Sequence, residues 1–353
     1  MSSLLLPEAA RLIHIGPQKT GTTAIQVAMF EARDSMAEHG AYYPKDAYRR
    51  RGAGWELGLP DGKPIGQDLR RWNRLVREVR SAGDARACVS NEDFARATPP
   101  QIERIVSDLG GEAAHVVAVA RRLDKYLPSQ WQEQVKAGVT RSFDNWLRLV
   151  LTEEDNGSYA RWNVWMGHDV EALVHRWLDV VPPDRFTLLV ADESDHSLLP
   201  RTFESMLGLP AGLLRANPRR SNRGLSWAEA ELVRSLRKAL RGTAWPREEF
   251  QRLLVDELKL HEAPTVGPRS AWIPDWAHER IRELSDARIA AVQRLPVRVV
   301  GDPERLRVGR RAEGQEPPVA GELSLPVSTT VRLIEGIVQS SLPRAAGTGR
   351  PSS

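Results

Sequence analysis

The chain predicts an α/β fold, a mostly parallel central sheet flanked by helices, and three observations carry that expectation. Arg11 to Gly16 reads as a short apolar strand that breaks at a glycine-bearing loop opening a helix. Strand and helix signals then alternate through the first two hundred residues, the pattern of a parallel sheet covered on both faces. From about residue 198 onward the signals are helical, which predicts a helical cap.

The elements follow in order. Strand 11 to 16 leads into helix 22 to 38, which ends at Gly40, and a short extended piece follows at 41 to 44. Residues 45 to 66 are rich in glycine and proline and read as a surface excursion able to fold over a substrate. Helix 67 to 82, strand 86 to 90, helix 99 to 109, strand 114 to 120 and helix 125 to 137 come next. The run Phe186 to Ala191 closes the series as a further strand. Helices are expected at 198 to 207, 226 to 241, 246 to 260 and 275 to 293, with Ser226 as an N-terminal cap. The chain is read as one domain, 1 to 300, with its sheet core at about 11 to 193 and its cap at about 198 to 300. Residues 301 to 353 form a C-terminal extension rich in Gly, Pro, Arg and Ser, expected to be partly disordered.

The loop after the first strand has the architecture of a phosphate site. Backbone N–H groups of the loop and of the first helical turn converge on one point, where the helix dipole also favours an anion. Nucleotide triphosphatases write this loop G-x-x-x-x-G-K-[ST]. Here Gly16 and Gly21 have that spacing, but Thr22 stands where the lysine belongs, and Lys19 lies inside the loop. Pro17, Gln18, Lys19, Thr20, Gly21, Thr22 and Thr23 are therefore the candidate phosphate-binding residues.

Gly16 to Thr23 resembles the 5′-phosphosulfate loop of sulfotransferases that use 3′-phosphoadenosine 5′-phosphosulfate (PAPS), whose usual form is a lysine, a serine or threonine, a glycine and two threonines. That family holds the 3′-phosphate with an arginine at a strand end and a helical serine eight residues later. Arg121 and Ser129 fit the pattern, with Arg122 a close competitor. Arginine offers a planar charged fork and serine a neutral donor. Read alone, an arginine pair after a strand is a solvated helix start. Pro128, just before Ser129, departs from the expectation of a regular helix, because proline is comfortable only in a first helical turn. The resemblance is specific from Arg11 to about Gly138 and looser to Glu193. The segment His175 to Pro182 resembles the family's tryptophan-bearing helix. The stretch 219 to 226 is read either as a late nucleotide-contacting loop or, more simply, as the lead into a capped helix.

The resemblance implies PAPS as co-substrate, PAP as product, and the P-loop sulfotransferase-like version of the fold. No metal is expected: lysine, arginine and backbone dipoles suffice for sulfuryl transfer, and the histidines, with a single cysteine, lack metal-ligand spacing.

A base is needed to take the acceptor's hydroxyl proton. Ligands of open α/β sheets bind beyond the carboxyl ends of the strands, which selects Asn91 to Phe94 and Asp192-Glu193. Glu92 is the chosen base; bacterial relatives often carry a serine-containing strand end followed by glutamate. The simpler alternative is that Glu92 or Asp93 caps the next helix or pairs with an arginine. His14 and His168 are the other possible bases. His14 lies within the first strand, where most histidines are hydrogen-bonded core residues, and His168 ends a tryptophan-rich segment that helix packing explains equally well.

Composition fits a globular enzyme. The 353 residues are 41% hydrophobic and 27% charged, with a formal net charge of +4. Basic clusters such as Arg49 to Arg51 and Arg310-Arg311 are interleaved with acids, so nucleic acid is not an expected partner. No stretch reaches bilayer length, and Leu4 to Leu6 run straight into Pro7-Glu8 without the form of a secretory leader. The single cysteine, Cys88, precludes an intrachain disulfide. The reading is a cytoplasmic, bacterial, PAPS-dependent sulfotransferase acting on a small-molecule or glycan acceptor whose specificity lies in loops such as 45 to 66 and 139 to 168. The competing readings are a P-loop kinase or ATPase, disfavoured by Thr22, and a catalytically inactive nucleotide-binding interaction protein, disfavoured by Lys19.

Overall fold

A computed structural model describes residues 4–45, 51–152, 157–215, 224–242, 247–256, 258 and 270–311, and single residues 325, 327, 330, 331, 334 and 335. The chain is α/β, built on a six-stranded, all-parallel sheet in the order β2-β3-β1-β4-β5-β6. The strands are β1 (Arg11–Gly16), β2 (Ala41–Tyr42), β3 (Arg86–Ser90), β4 (Ala114–Ala120), β5 (Phe186–Val190) and β6 (Arg298–Val300). The helices named below are α1 (Thr22–Glu31), α2 (Arg33–Glu38), α3 (Arg51–Glu56), α4 (Arg70–Arg80), α5 (Pro99–Leu109), α6 (Leu123–Ala137), α7 (Phe143–Leu151), α8 (Tyr159–His168), α9 (Val170–Leu178), α10 (Leu198–Leu207), α11 (Trp227–Ala239), α12 (Arg247–Phe250) and α13 (Asp275–Arg294).

Strand alternation sorts the core into two layers. Ile13 and Ile15 of β1 point into one core with α4, α5 and α9, which includes the fully buried Trp72 and Trp177. Leu12 points to the other face, against Ile25 and Met29 of α1 and Phe203 and Met206 of α10. The helix that follows β1 thus covers one face, while α5, after β3, and α9, on the crossover from β4 to β5, cover the opposite one. Connections diverge around the carboxyl end of β1, and that divergence opens the crevice in which such sheets bind ligands.

The chain divides into two compact units: Met1–Leu127 with Leu147–Ser221 and Asp275–Glu313, and Pro128–Trp146 with Asn222–Pro274 and Gly314–Ser353. The first holds the whole sheet. Within the second, the indoles of Trp131 and Trp146 donate to the Arg141 carbonyl (3.1 Å) and to Gln134 (2.7 Å), flanking Phe143. Arg237 lies over the Phe250 ring, 4.2 Å from its centroid. Ser226 caps α11 with a reciprocal Glu229 contact, as expected.

Several expectations need correction. The helix at 22 to 38 breaks at Ala32 into α1 and α2, a break no glycine or proline announces. Within segment 45 to 66, the described stretch 51 to 66 is not an open excursion: 51 to 56 is helical, and Ala53, Leu57 and Leu59 are buried in the core. Gln101 holds the Leu57 and Lys63 carbonyls at 2.7 and 2.9 Å. Gly58 allows the close approach, since a Cβ there would stand 2.1 Å from the Lys63 oxygen, at a φ of 82°. Segment 139 to 168 is mostly helix, because Phe143, Trp146, Leu147, Val150 and Leu151 repeat at helical spacing and are buried. Strand β6 was not expected. Segment 246 to 260 is helical at each of its described residues, as expected, but as α12 followed by a π-helical turn, Gln251–Asp256, with Leu258 helical beyond it. Residues 301 to 311 do not leave the fold at once: Ser285 donates to the Leu306 carbonyl at 2.7 Å and accepts from the Val308 amide at 3.0 Å. Residues 216–223 and most of 312–353 lie outside the described residues, and with them the candidate loop at 219 and the expected tail disorder. Among the described residues, no helix is long and apolar enough to cross a membrane.

Candidate functional site

Gly16 ends β1 with a φ of 83°, and a Cβ there would lie 2.9 Å from the Glu92 Cα. Only glycine lets the loop start this close to the strand end of β3, which sets Glu92 beside the loop. Lys19, at a φ of 63°, adopts the left-handed conformation that a lysine rarely takes, and Gly21 follows at 94° as the cap residue of α1. The Thr20 and Thr22 hydroxyls both donate to the Pro17 carbonyl, at 2.6 and 3.3 Å. That oxygen is thereby engaged within the loop. Thr22 is buried and Thr23 exposed. Among the described residues no side chain caps the first turn of α1, and no acid lies in it, so its N–H groups keep the positive end of the dipole.

The loop is tied to β4 by Arg121, whose Nη1 donates to the Lys19 carbonyl at 2.7 Å. The same guanidinium grips Glu193, with Nε 2.6 Å from Oε1 and Nη2 3.1 Å from Oε2. Arg122 instead pairs with Asp124 at 2.7 Å. Ser129 lies half-buried on α6 and belongs to the second compact unit, whereas Arg121 belongs to the first. α6 starts at Leu123, earlier than expected, so Pro128 falls inside the helix and not in its first turn.

Beneath the loop lies a buried polar assembly. Asp93 pairs with Arg96 at 2.5 Å and accepts from the Gln18 amide at 3.1 Å. His168, at the end of α8, contacts the Gln18 carbonyl through Nε2 at 3.1 Å and stacks on Tyr126, ring centroids 3.4 Å apart. Burial, with the charges of Arg288, Arg96 and Arg121, outweighs that carbonyl contact and holds the His168 pKa well below its ordinary value. The ring is neutral, and the carbonyl acceptor assigns its proton to Nε2. Arg288 of α13 donates to the Arg121 carbonyl at 2.9 Å, and burial lowers its own pKa to about 10. Gly167 packs here as well, since a Cβ would meet Pro17 at 3.1 Å. Gln18 therefore serves this assembly with both its side chain and its carbonyl.

Of the candidate bases, Glu92 is half-buried and opens a 3-10 turn (Glu92–Arg96) that Asn91 caps by accepting from the Asp93 amide at 3.0 Å. It lines a crevice beside Gln18 and Asn163. Asp93 makes an arginine pairing of the kind foreseen for Glu92 or Asp93, with Arg96. His14 has no exposed surface; its Nδ1 is 2.8 Å from the Ser90 hydroxyl, to which Gln26 also donates at 3.0 Å, and its ring meets Phe203 edge-on. Burial drops its pKa to about 3. This is the hydrogen-bonded core arrangement, remote from any solvent-borne hydroxyl.

On the other side of the loop is a cavity of about 610 Å³, whose wall includes Thr20, Gly21, Ala24, Arg121, Glu193 and Leu199. Sequence reasoning missed the roles of Arg96, Arg288 and Glu193. Only Glu193 had a readable signal, as an acid just past a strand end. Among the described residues, no group of three or more His, Cys, Asp or Glu side chains is arranged to hold a metal ion.

No protein-family model matches the chain, and no curated protein matches it. Among solved structures it is similar to a sulfotransferase from Alicyclobacillus acidocaldarius, at 17% identity and a TM-score of 0.40, over 60% of this chain and 87% of that one. It is also similar to the sulfotransferase domain from the curacin biosynthetic pathway, at 12% identity and a TM-score of 0.32, over 74% of this chain and 100% of that one.

Proposed function

We propose that this chain is a cytoplasmic, bacterial, PAPS-dependent sulfotransferase that transfers a sulfuryl group to a hydroxyl of a small-molecule or glycan acceptor. The observation that carries the reading is the 2.7 Å contact between Arg121 and the Lys19 carbonyl. Two elements a hundred residues apart in sequence, each resembling one phosphate-binding element of that family, touch in the folded chain.

The residues suit such a ligand. The uncapped first turn of α1 offers amides to an anion, and the carbonyl most hostile to one, that of Pro17, is occupied by hydroxyls. Bound PAPS supplies a sulfuryl group on a phosphate leaving group. The loop amides, with the Thr22 backbone N–H and the exposed Thr23 hydroxyl, hold the 5′-phosphosulfate, and Lys19 donates to the bridging oxygen as negative charge grows there. Arg121 holds the 3′-phosphate; the matching role for Ser129 rests on its spacing from Arg121 alone. Glu92, beside the loop, takes the acceptor's proton, opposite the leaving oxygen for in-line displacement. The cavity beside Thr20 and Arg121 receives the nucleoside.

Calorimetry with PAP, 5′-AMP and ATP, with and without magnesium, tests this reading. PAP is expected to bind without metal and more tightly than 5′-AMP by about 1.5–3 kcal/mol, the size of a charge-assisted contact. Equal affinity for PAP and 5′-AMP, or a magnesium-dependent preference for ATP, overturns it.

A further inference from the structure

Glu193, just past the carboxyl end of β5, has no part in the proposed chemistry, yet it holds the group that chemistry needs. Arg121 presents two hydrogen-bonding edges. One, through Nη1, is fixed on the Lys19 carbonyl at 2.7 Å. The other, formed by Nε and Nη2, is filled by the two Glu193 oxygens at 2.6 and 3.1 Å. This paired, side-on arrangement is also the one by which a guanidinium takes two oxygens of a phosphate. Both side chains are partly exposed, at 24% and 27%, and both stand in the wall of the cavity beside the loop, together with Asp192 and Asp195.

We infer that Glu193 is a specificity-determining residue: an internal anion that fills the second edge of Arg121 and must be displaced by the 3′-phosphate of an incoming nucleotide. The inference rests on the PAPS reading above. The exchange is non-covalent and balanced, two N–H···carboxylate bonds giving way to two N–H···phosphate bonds. The bond from Arg121 to the Lys19 carbonyl is kept, so the loop holds its shape while the partner changes. Lys125 and His196 stand near Glu193 and can receive the displaced carboxylate. Burial raises the Glu193 pKa, but the Arg121 hydrogen bonds and charge, helped by those two neighbours, bring it below the ordinary value, so the competitor is charged throughout the neutral range. A nucleotide with a free 3′-hydroxyl leaves the ion pair intact and feels none of this competition.

The test is calorimetry on the full chain and on Glu193→Gln, which keeps the side chain's length and removes its charge. Glu193→Ala serves as a second variant, and a melting curve for each checks the fold. Both substitutions are expected to tighten PAP binding by roughly threefold to fivefold, the upper worth of a partly exposed ion pair, and to leave 5′-AMP within about twofold. If the wild type prefers PAP to 5′-AMP but the variants bind PAP equally or more weakly, Glu193 merely orients Arg121 and the inference is overturned. If all three proteins bind PAP no better than 5′-AMP, the sulfotransferase reading itself fails and takes the inference with it.

Discussion

The two sides of the loop after β1 differ in kind. Beneath it, the buried Asp93, paired with Arg96, and the buried His168 both hold the half-buried Gln18, Arg288 lies buried against the Arg121 carbonyl, and the crevice beside Gln18 and His168 is only about 10 Å³. On the α10 side the loop faces a cavity of about 610 Å³ lined largely by Ala24, Ile25, Leu198 and Leu199, with Arg121 and Glu193 at its polar end. One side fixes the loop's shape and the other leaves room for a ligand. Buried, hydrogen-bonded polar groups such as the Asp93–Arg96–Gln18 set favour one arrangement, while an open apolar wall accepts what fits. Substitutions beneath the loop should therefore act on stability, and substitutions in the cavity wall on binding.

The largest expected effect breaks the locked side. Arg96 and Asp93 have side chains 5% and 2% exposed, so Arg96→Met strands a buried carboxylate that keeps only Gln18 as partner. A loss of about 3–5 kcal/mol is expected in urea denaturation, as for other broken buried pairs. The double variant Arg96→Met with Asp93→Leu should recover most of it. A cost for Arg96→Met no larger than that of a surface substitution would show that this side is not locked.

The two regions were unequally legible in the sequence. Strands 11 to 16, 86 to 90 and 114 to 120 are short, mostly apolar runs bounded by polar or glycine residues, and their bounds match the structure. The glycine spacing of the loop was readable for the same reason: backbone conformations that need glycine leave a residue-specific mark. The assembly beneath the loop left none. Arg96, His168 and Arg288 come from three distant segments; Arg96 and Arg288 read in isolation as ordinary polar residues and His168 only as a possible base, and tertiary packing alone makes them neighbours. Glycines at 45 to 66 pointed the wrong way, because Gly58 serves close backbone packing and not an open excursion. The partner of Arg121 was equally hidden, since no local pattern ties Glu193 to a residue 72 positions away.

A second prediction concerns pH and sharpens the comparison. His14, His115 and His168 are buried and neutral, with burial lowering the first two to about 3 and about 4 and the third well below its ordinary value. Unfolded imidazoles protonate near 6.5 while these folded ones do not, so below that pH the unfolded state binds more protons. Stability is complete above about pH 6.5 and falls as the pH drops, by up to about 1.4 kcal/mol per unit for each histidine. Denaturation midpoints between about pH 7 and pH 5, where most carboxylates stay ionised, measure the slope. His168→Phe should remove one histidine's share of it. An unchanged slope would mean that His168 is charged in the folded protein and that the loop is held by an imidazolium.

The smallest effect on stability is expected on the open side, from Ala24→Phe. Ala24 lies in the first turn of α1, is exposed, and stands in the cavity wall. A phenyl group there enters free space and not a packed core, so the overpacking strain of an interior insertion is absent. What remains is the helix-propensity difference between alanine and phenylalanine, about 0.5 kcal/mol. Binding should respond very differently, because the ring takes up room assigned to the nucleoside while leaving the loop, Lys19 and Arg121 in place. Melting temperature and PAP calorimetry on the same sample separate the two effects: a near-native melt with PAP binding lost places the nucleoside in this cavity. A near-native melt with PAP binding retained puts the ligand elsewhere along the strand ends, and the division between a fixing side and a receiving side would then fail on its receiving half.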